Sequence, residues 1–483
     1  MSKQDIYRPI YHFTPPANFI NDPNGMVFYR GEYHLFYQHN PYGATWVHMS
    51  WGHAVSPDML RWRHLPVALP EADGVMIFSG SAVVDWQNTS GFGAGTDPPL
   101  VAIYTGHAAA EQAQCIAFSL DAGRAWTKYA GNPVIAIGSR NFRDPKVFWH
   151  ASTARWIMVV VLADQHCVRF YGSPDLRHWE HLSDFGPAGS VAGVWECPDL
   201  FPLPIEGERD ATRWVLKLDV SPQHLPAGLC GQYFIGQFDG VQFVNDNPPD
   251  LALWADRGSD FYAAQSWADV PTADGRRLWL AWMSHWKYAN VTPTAPWRGA
   301  MTLPRALALR RSPEGLRLVQ RPAAELETLR RAHFGRAGLP VGDANRQLQA
   351  AGMAGDALEI LADFRLGTAS EVGLRVRVGA DEATVVGYDV AAQEIFVDRT
   401  RSGDASFSAD FPDRHTAPLP AETGRVRLRI FVDRCSVEVF GGAGQAVLTD
   451  LIFPAPASRG LEVYSTGGEA FVERLDIWQT EQA

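Results

Sequence analysis

From residue 1 to about 300, hydrophobic positions come in short runs or alternate with polar ones, and helical periodicity is almost absent. Gly, Pro, Asn and Asp bound each run, which is the pattern of many short β-strands. Four runs carry an aromatic residue early: 33–37, 156–160, 214–218 and 278–282. Their starts lie roughly sixty residues apart, or about twice that, the signature of an internal repeat. A turn recurs as well: Ser56-Pro57-Asp58-Met59-Leu60-Arg61-Trp62 returns as Ser173-Pro174-Asp175-Leu176-Arg177-His178-Trp179. A looser copy runs from Ser119 through Asp121 to Trp126. Four-stranded propeller blades repeat at about 40–50 residues, and longer loops stretch that period. Residues 1–303 are therefore expected to form a five-bladed β-propeller, with a large β-sandwich as the competing arrangement.

The texture changes over 304–340. Residues 304–309 look like a strand and 320–326 like a short helical linker, so this stretch is expected to join two domains. From 341 to 483 apolar-polar alternation resumes, as in Val426-Arg427-Leu428-Arg429-Ile430. Alternation of this kind suits sheets with one wet face and predicts a β-sandwich. The second half is poor in clustered carboxylates and histidines, so an accessory role is expected. The whole chain reads as all-β.

Composition narrows the function. A formal net charge of −11 disfavours nucleic acid and anionic membranes as partners. No run reaches membrane-spanning length, and the first residues lack the apolar stretch of a signal peptide. Five scattered cysteines show no paired spacing, which fits reduced thiols in the cytoplasm; a mature secreted chain would look the same. Self-association is left open. Seventeen tryptophans are unusual, and flat rings of this kind often meet sugars.

One stretch organises the chemistry: Phe19-Ile20-Asn21-Asp22-Pro23-Asn24-Gly25. Pro23 pushes Asp22 towards an extended backbone, and Asn24-Gly25 is a strong turn signal. Residues 26–37 then read as a hairpin turning at Arg30-Gly31-Glu32. Asp144, in Arg143-Asp144-Pro145, also precedes a proline and adjoins a permanent cation. Glu196 lies between Trp195 and Cys197, flanks expected to raise its pKa, whereas the amides beside Asp22 favour its anion. Two carboxyl groups pushed apart in this way fit an acid and a nucleophile acting on a glycosidic bond. Singly, Asp144 reads better as a buried ion pair with Arg143, and Glu196 as an ordinary strand residue. His34, His39, His48 and His53 lack a third ligand at metal spacing, so no metal or cofactor is expected. Gly91-Phe92-Gly93-Ala94-Gly95 reads as a loop rather than a phosphate cradle.

Together these segments resemble glycoside hydrolase family 32, the invertases, inulinases and levanases. The motifs stand here as Asn21-Asp22-Pro23-Asn24-Gly25, Phe36-Tyr37-Gln38-His39-Asn40-Pro41, Phe78-Ser79-Gly80-Ser81, Arg143-Asp144-Pro145, Trp195-Glu196-Cys197-Pro198 and Asp260-Phe261-Tyr262-Ala263-Ala264-Gln265. Stretches 80–85 and 297–301 are most similar to the exo-acting levanase and inulinase branch. The resemblance implies a five-bladed propeller with an appended sandwich, acting on fructose-containing oligo- or polysaccharides without a cofactor. It implies Asp22 as nucleophile, Glu196 as acid/base and Asp144 as transition-state stabiliser. Asn21, Gln38, Trp46, Ser81, Arg143, Asp260 and Trp286 match positions that line the fructose pocket. The pattern departs at Phe19-Ile20, where Trp-Met is commoner, a change expected at the pocket rim. A fructosyltransferase, an inverting furanosidase and a non-catalytic sugar-binding protein stand as alternatives.

Overall fold

Five antiparallel sheets follow one another around a ring in the computed structural model, which describes residues 5–221, 225 and 229–481. The innermost strand of each blade comes first in sequence: Asn18–Tyr29, Met76–Val84, Phe142–His150, Trp195–Pro204 and Tyr262–Ser266. Each leads outward through hairpins, because successive short strands with turn residues between them pair most cheaply with their neighbours. The first hairpin closes as read, with Tyr29 opposite Glu32 and positive φ at Arg30 and Gly31.

The repeated turn has a common cause. Asp58 Oδ1 accepts the Leu60 and Arg61 N–H groups, and the Trp62 indole donates to the Met59 carbonyl. Asp175 and Trp179 reproduce this in the third blade, and Asp121 and Trp126 in the second. The carboxylate satisfies the turn's backbone donors while the indole covers its open side.

Neighbouring blades share apolar seams. Phe36 and Trp51 meet Ile77 and Tyr104; Val83 and Ile103 meet Val147 and Trp156. Ile157 and Phe170 meet Trp195, Phe201 meets Trp279, and Tyr262 with Trp282 returns to Phe19 and Tyr33. The ring is sealed where Trp297–Arg298 pairs in parallel with Asn18 and Phe19.

Two expectations need correcting here. The strands Arg305–Ser312 and Gly315–Pro322 are the outer half of the fifth blade, so most of the expected linker belongs to the propeller. The connection itself is the short 3₁₀ helix Ala324–Leu329, and Arg330–Arg336 already pairs in the C-terminal half. Asn24-Gly25 is not a turn. It is a bulge within the continuous first strand, where Gly25 takes a φ of 52° and a Cβ would lie 2.5 Å from Phe36.

The C-terminal half stacks two antiparallel sheets over one aliphatic core, as the alternation predicted. Val341–Ala351 is the one α-helix among the described residues, ending at Gly352 in a left-handed cap. No described helix is long and apolar enough to cross a membrane.

Buried ions join the halves. Arg305 of the propeller reaches Asp256 (3.0 Å), Gln320 (2.9 Å), Glu438 (2.6 Å) and Thr449 (2.6 Å), and lies between the Phe261 and Phe440 rings. Arg399 of the sandwich answers it, reaching Asp260 (2.6 Å) and Tyr288 (3.0 Å) of the propeller. His12 bridges Asp433 (2.8 Å) and Glu438 (2.9 Å). Burial alone would depress His12, yet these two carboxylates push it up to about 9, so it is a cation at neutral pH.

Candidate active site

All five innermost strands carry a register break at matching places. The breaks span Ile20/Pro23, Ile77/Gly80, the stretch from Arg143 to Lys146, Glu196/Asp199 and Tyr262/Gln265. A bulge adds one residue to one strand and turns side chains out of strict alternation. Here the extra residues hold Asp22, Ser79, Asp144 and Cys197. Asp144, Cys197 and Ala263 take φ of 66°, 50° and 56°. Left-handed backbone at a non-glycine residue costs on the order of 1–3 kcal/mol, strain that aims these groups at the axis.

Asp22 is buried on the first blade. Asn21 Nδ2 donates to its Oδ1 (3.0 Å), Ser79 Oγ from the second blade donates to Oδ2 (2.6 Å), and the Cys197 thiol lies 3.5 Å from Oδ2. Burial raises the Asp22 pKa and the nearby Glu196 charge adds to it, against these three donors. The expectation that amide neighbours leave Asp22 an easy anion is therefore corrected: desolvation outweighs them.

Asp144, from the third blade, accepts the Cys197 backbone N–H at 2.9 Å, and its own N–H donates to Thr105 Oγ1. Burial, then the charges of Glu196 and Asp22, push its pKa up to about 7 despite Arg143. A carboxyl with a folded pKa above its ordinary 3.8 binds its proton more readily when folded. Its anion therefore penalises folding above about pH 7, and the penalty is released as pH falls below 7. Asp144→Asn should accordingly stabilise the fold by about 1–3 kcal/mol at pH 8 and by much less near pH 5, while losing activity. Thermal melts at the two pH values check this; an equal gain at both would remove the electrostatic cause.

Glu196 faces polar groups. Arg143 donates to Oε1 through both Nε (3.1 Å) and Nη2 (3.0 Å), and the Tyr262 hydroxyl contacts Oε2. Trp195 points the other way into the seam between blades. The apolar setting expected from the flanking residues is thus corrected: Trp195 turns to the seam, and Cys197, in the bulge, faces Asp22 and Asp144 rather than Glu196. The expected Arg143–Asp144 ion pair is present but long, at 3.9 Å, and the guanidinium spends its hydrogen bonds on Glu196.

The remaining expected residues divide. Trp46, 37% exposed, stands edge-on to Phe78 (5.9 Å) and Trp286 (6.3 Å), and Trp286 packs against Trp282 and Tyr262. Through Tyr262, whose hydroxyl contacts Glu196, these rings adjoin the carboxylates. Asn21 Oδ1 is buried with no partner among the described residues. Gln38 lies one layer behind, donating to Asn24 Oδ1 at 2.8 Å. Ser81 does not open to the pocket: its hydroxyl donates to the Pro145 carbonyl and accepts the Val147 N–H, tying blade two to blade three. Asp260 also leaves the set, being fully buried between the domains with Arg399, Tyr288 and the Leu451 N–H. Phe19 and Ile20 are core residues rather than rim. Sequence reasoning missed Ser79, Tyr262 and Cys197 as contacts of the carboxylates, although all three stand inside the quoted motifs.

Three carboxylates from three blades thus meet around the Cys197 thiol and the Arg143 guanidinium in a propeller with an appended sandwich, the arrangement of a glycosidase. Residues 12–322 match the model described as Glycosyl hydrolases family 32 N-terminal domain, and residues 325–479 that described as Glycosyl hydrolases family 32 C terminal. The chain belongs to glycoside hydrolase family 32. It is 52% identical to a levanase of Bacillus subtilis over 98% of this chain and 70% of the relative. To an extracellular exo-inulinase of Aspergillus ficuum it is 40% identical, over 98% of this chain and 94% of the relative. The structure of a fructofuranosidase from Schwanniomyces occidentalis complexed with fructose superposes with a TM-score of 0.90 at 31% identity, covering all of both chains.

Proposed function

We propose that the protein is a retaining exo-β-fructofuranosidase that releases terminal fructose from fructans such as levan and inulin, from their oligomers, or from sucrose. The observation that carries this reading is the meeting of Asp22, Asp144 and Glu196 around Cys197 and Arg143. Asp22 attacks the anomeric C2, and Glu196 gives its proton to the departing oxygen, so the C2–O bond breaks as the fructosyl-enzyme bond forms. Water then attacks C2, Glu196 takes its proton, and Asp22 leaves as the carboxylate. A retaining pair works with carboxyl groups about 5–5.5 Å apart.

The surrounding contacts fit these roles. Ser79, Asn21 and the Cys197 thiol hold Asp22, and a held nucleophile saves ordering entropy in the transition state. The Tyr262 hydroxyl can donate to or accept from Glu196, so that contact survives both protonation states. Asp144 and the free Asn21 Oδ1 accept sugar hydroxyls, stabilising charge as it develops. The levanase and exo-inulinase among the relatives support fructans as substrates, and the extracellular location of the latter supports work outside the cell rather than in the cytoplasm.

The test is a product profile on sucrose, inulin and levan, with the first anomer read by NMR. Fructose alone, released as the β-anomer, is expected. Initial α-fructose would overturn retention, and longer oligomers from concentrated sucrose would make transfer the main reaction. No release from any of the three would refute the activity.

A further inference from the structure

The innermost strands, three of which carry the carboxylates at the front, run to the rear of the ring, where a cavity opens. Its volume is about 500 Å³, within the range of about 300–1,000 Å³ usual for ligand sites. The two ends of the axis are separated by a hydrogen-bonded layer. Lys146, two residues past Asp144, donates to the Ser266 carbonyl (2.6 Å) and pairs with Asp199 (3.3 Å), whose Oδ2 accepts the Ser266 N–H. A ligand at the rear therefore has no path to Asp22.

Four tryptophans line this cavity: Trp86, Trp149, Trp156 and Trp214. Trp86 is 62% exposed at the mouth, yet it is not loose, because Asp269 accepts its indole N–H at 2.9 Å. A fixed ring with a bare face is a stacking platform rather than a core residue. Trp149 stands edge-on to Trp156, whose indole is held by Thr89.

Polar groups are left over among these rings. Arg277 lines the wall with one hydrogen bond, to the Trp267 carbonyl at 3.3 Å, and no ion pair among the described residues. The Ser266 hydroxyl, also in the lining, is fully buried without a partner among the described residues. The Arg277 guanidinium lies over the Phe201 ring and spends a single hydrogen bond, so with the unpaired hydroxyl it matches vicinal hydroxyls on a ring with an apolar side. Asp269 in the same wall disfavours an anion, so the ligand is a neutral polyhydroxyl compound.

We propose that the rear cavity is a second carbohydrate site, which holds a distal segment of the fructan chain while the chain end is cleaved at the front. The choice of fructan rests on the function proposed above; the sugar chemistry of the cavity does not. Tethering a polymer at a second point raises its effective concentration at the first, and gives nothing to a substrate too short to reach both.

The test compares wild type with Trp86→Ala and with Ser152→Trp, a bulky change at the exposed mouth. KM for levan is expected to rise about tenfold in both variants, with kcat unchanged and sucrose kinetics unchanged. Titration of inulin oligomers into Asp22→Ala should give two sites, and one after Trp86→Ala is added. Equal levan KM values and a single site throughout would overturn the proposal while sucrose hydrolysis still upheld the front site. Loss of sucrose hydrolysis from the wild type would instead count against the function, and the titration would still decide the rear site.

Discussion

Turnover of sucrose by Asp22→Asn is expected to fall by roughly four to six orders of magnitude, with the fold retained. The amide keeps the size of the side chain, but its neutral carbonyl oxygen is too weak a nucleophile to bond C2, so the covalent route is lost. What remains is binding and the partial charges of Asp144 and Glu196, which act only on a reaction that has a nucleophile. Stability should hold, because burial already disfavours a charge at this position. The amide loses one donor contact, from Ser79 or Asn21, and relieves the repulsion from Glu196 and Asp144. Fructose release over hours gives the rate, thermal melting gives the fold, and Asp22→Ala alongside excludes reversion by deamidation. Activity within a hundredfold of wild type would remove Asp22 as the nucleophile.

Arg305→Met is expected to cost about 3–5 kcal/mol in stability, because it removes the cation and leaves its anions buried. Asp256 and Glu438 are both fully buried, and each meets one arm of the guanidinium. Burial alone would raise Glu438, yet Arg305 and His12 hold it below the ordinary carboxylate range. Met fills much of the stem's volume between Phe261 and Phe440, so the loss reports charge more than packing. The urea midpoint reads the effect. Adding Asp256→Asn and Glu438→Gln to Arg305→Met should recover part of it, since paired removal costs less than orphaning one side. A loss below about 1 kcal/mol would show that water enters the interface and solvates the anions.

The legible parts of this molecule were those written in local patterns. Asp58, Asp121 and Asp175 announce their turns because a carboxylate two residues past a serine caps the backbone wherever it occurs. Alternation marked the sandwich for the same reason. Asp22, Asp144 and Glu196 stood out because proline, arginine and tryptophan neighbours are unusual beside a carboxylate. Their partners did not. A bulge is invisible in composition, so which of Ser79 and Ser81 faces Asp22 depended on one extra residue at Ile77/Gly80. Asp260 sits in a motif that looked like pocket wall, but its burial comes from Arg399, 139 positions away. The hairpin 305–322 read as a connector because its texture differs from the runs before it, and the pairing of Arg305–Leu307 with Arg277–Trp279 assigns it to a blade.

Because the first carboxylate comes from the first blade and the ring is sealed by Trp297–Arg298, the timing of assembly is constrained. Each blade pairs within itself and can form as soon as its strands exist. The pocket cannot, since Asp22 meets Ser79, Cys197 and the Glu196 field only when distant blades have come around. A nascent or refolding chain therefore acquires nearly all its β-structure before it acquires any chemistry. Recovery of fructose release is a clock for ring closure, and it should lag behind the far-ultraviolet signal of the strands.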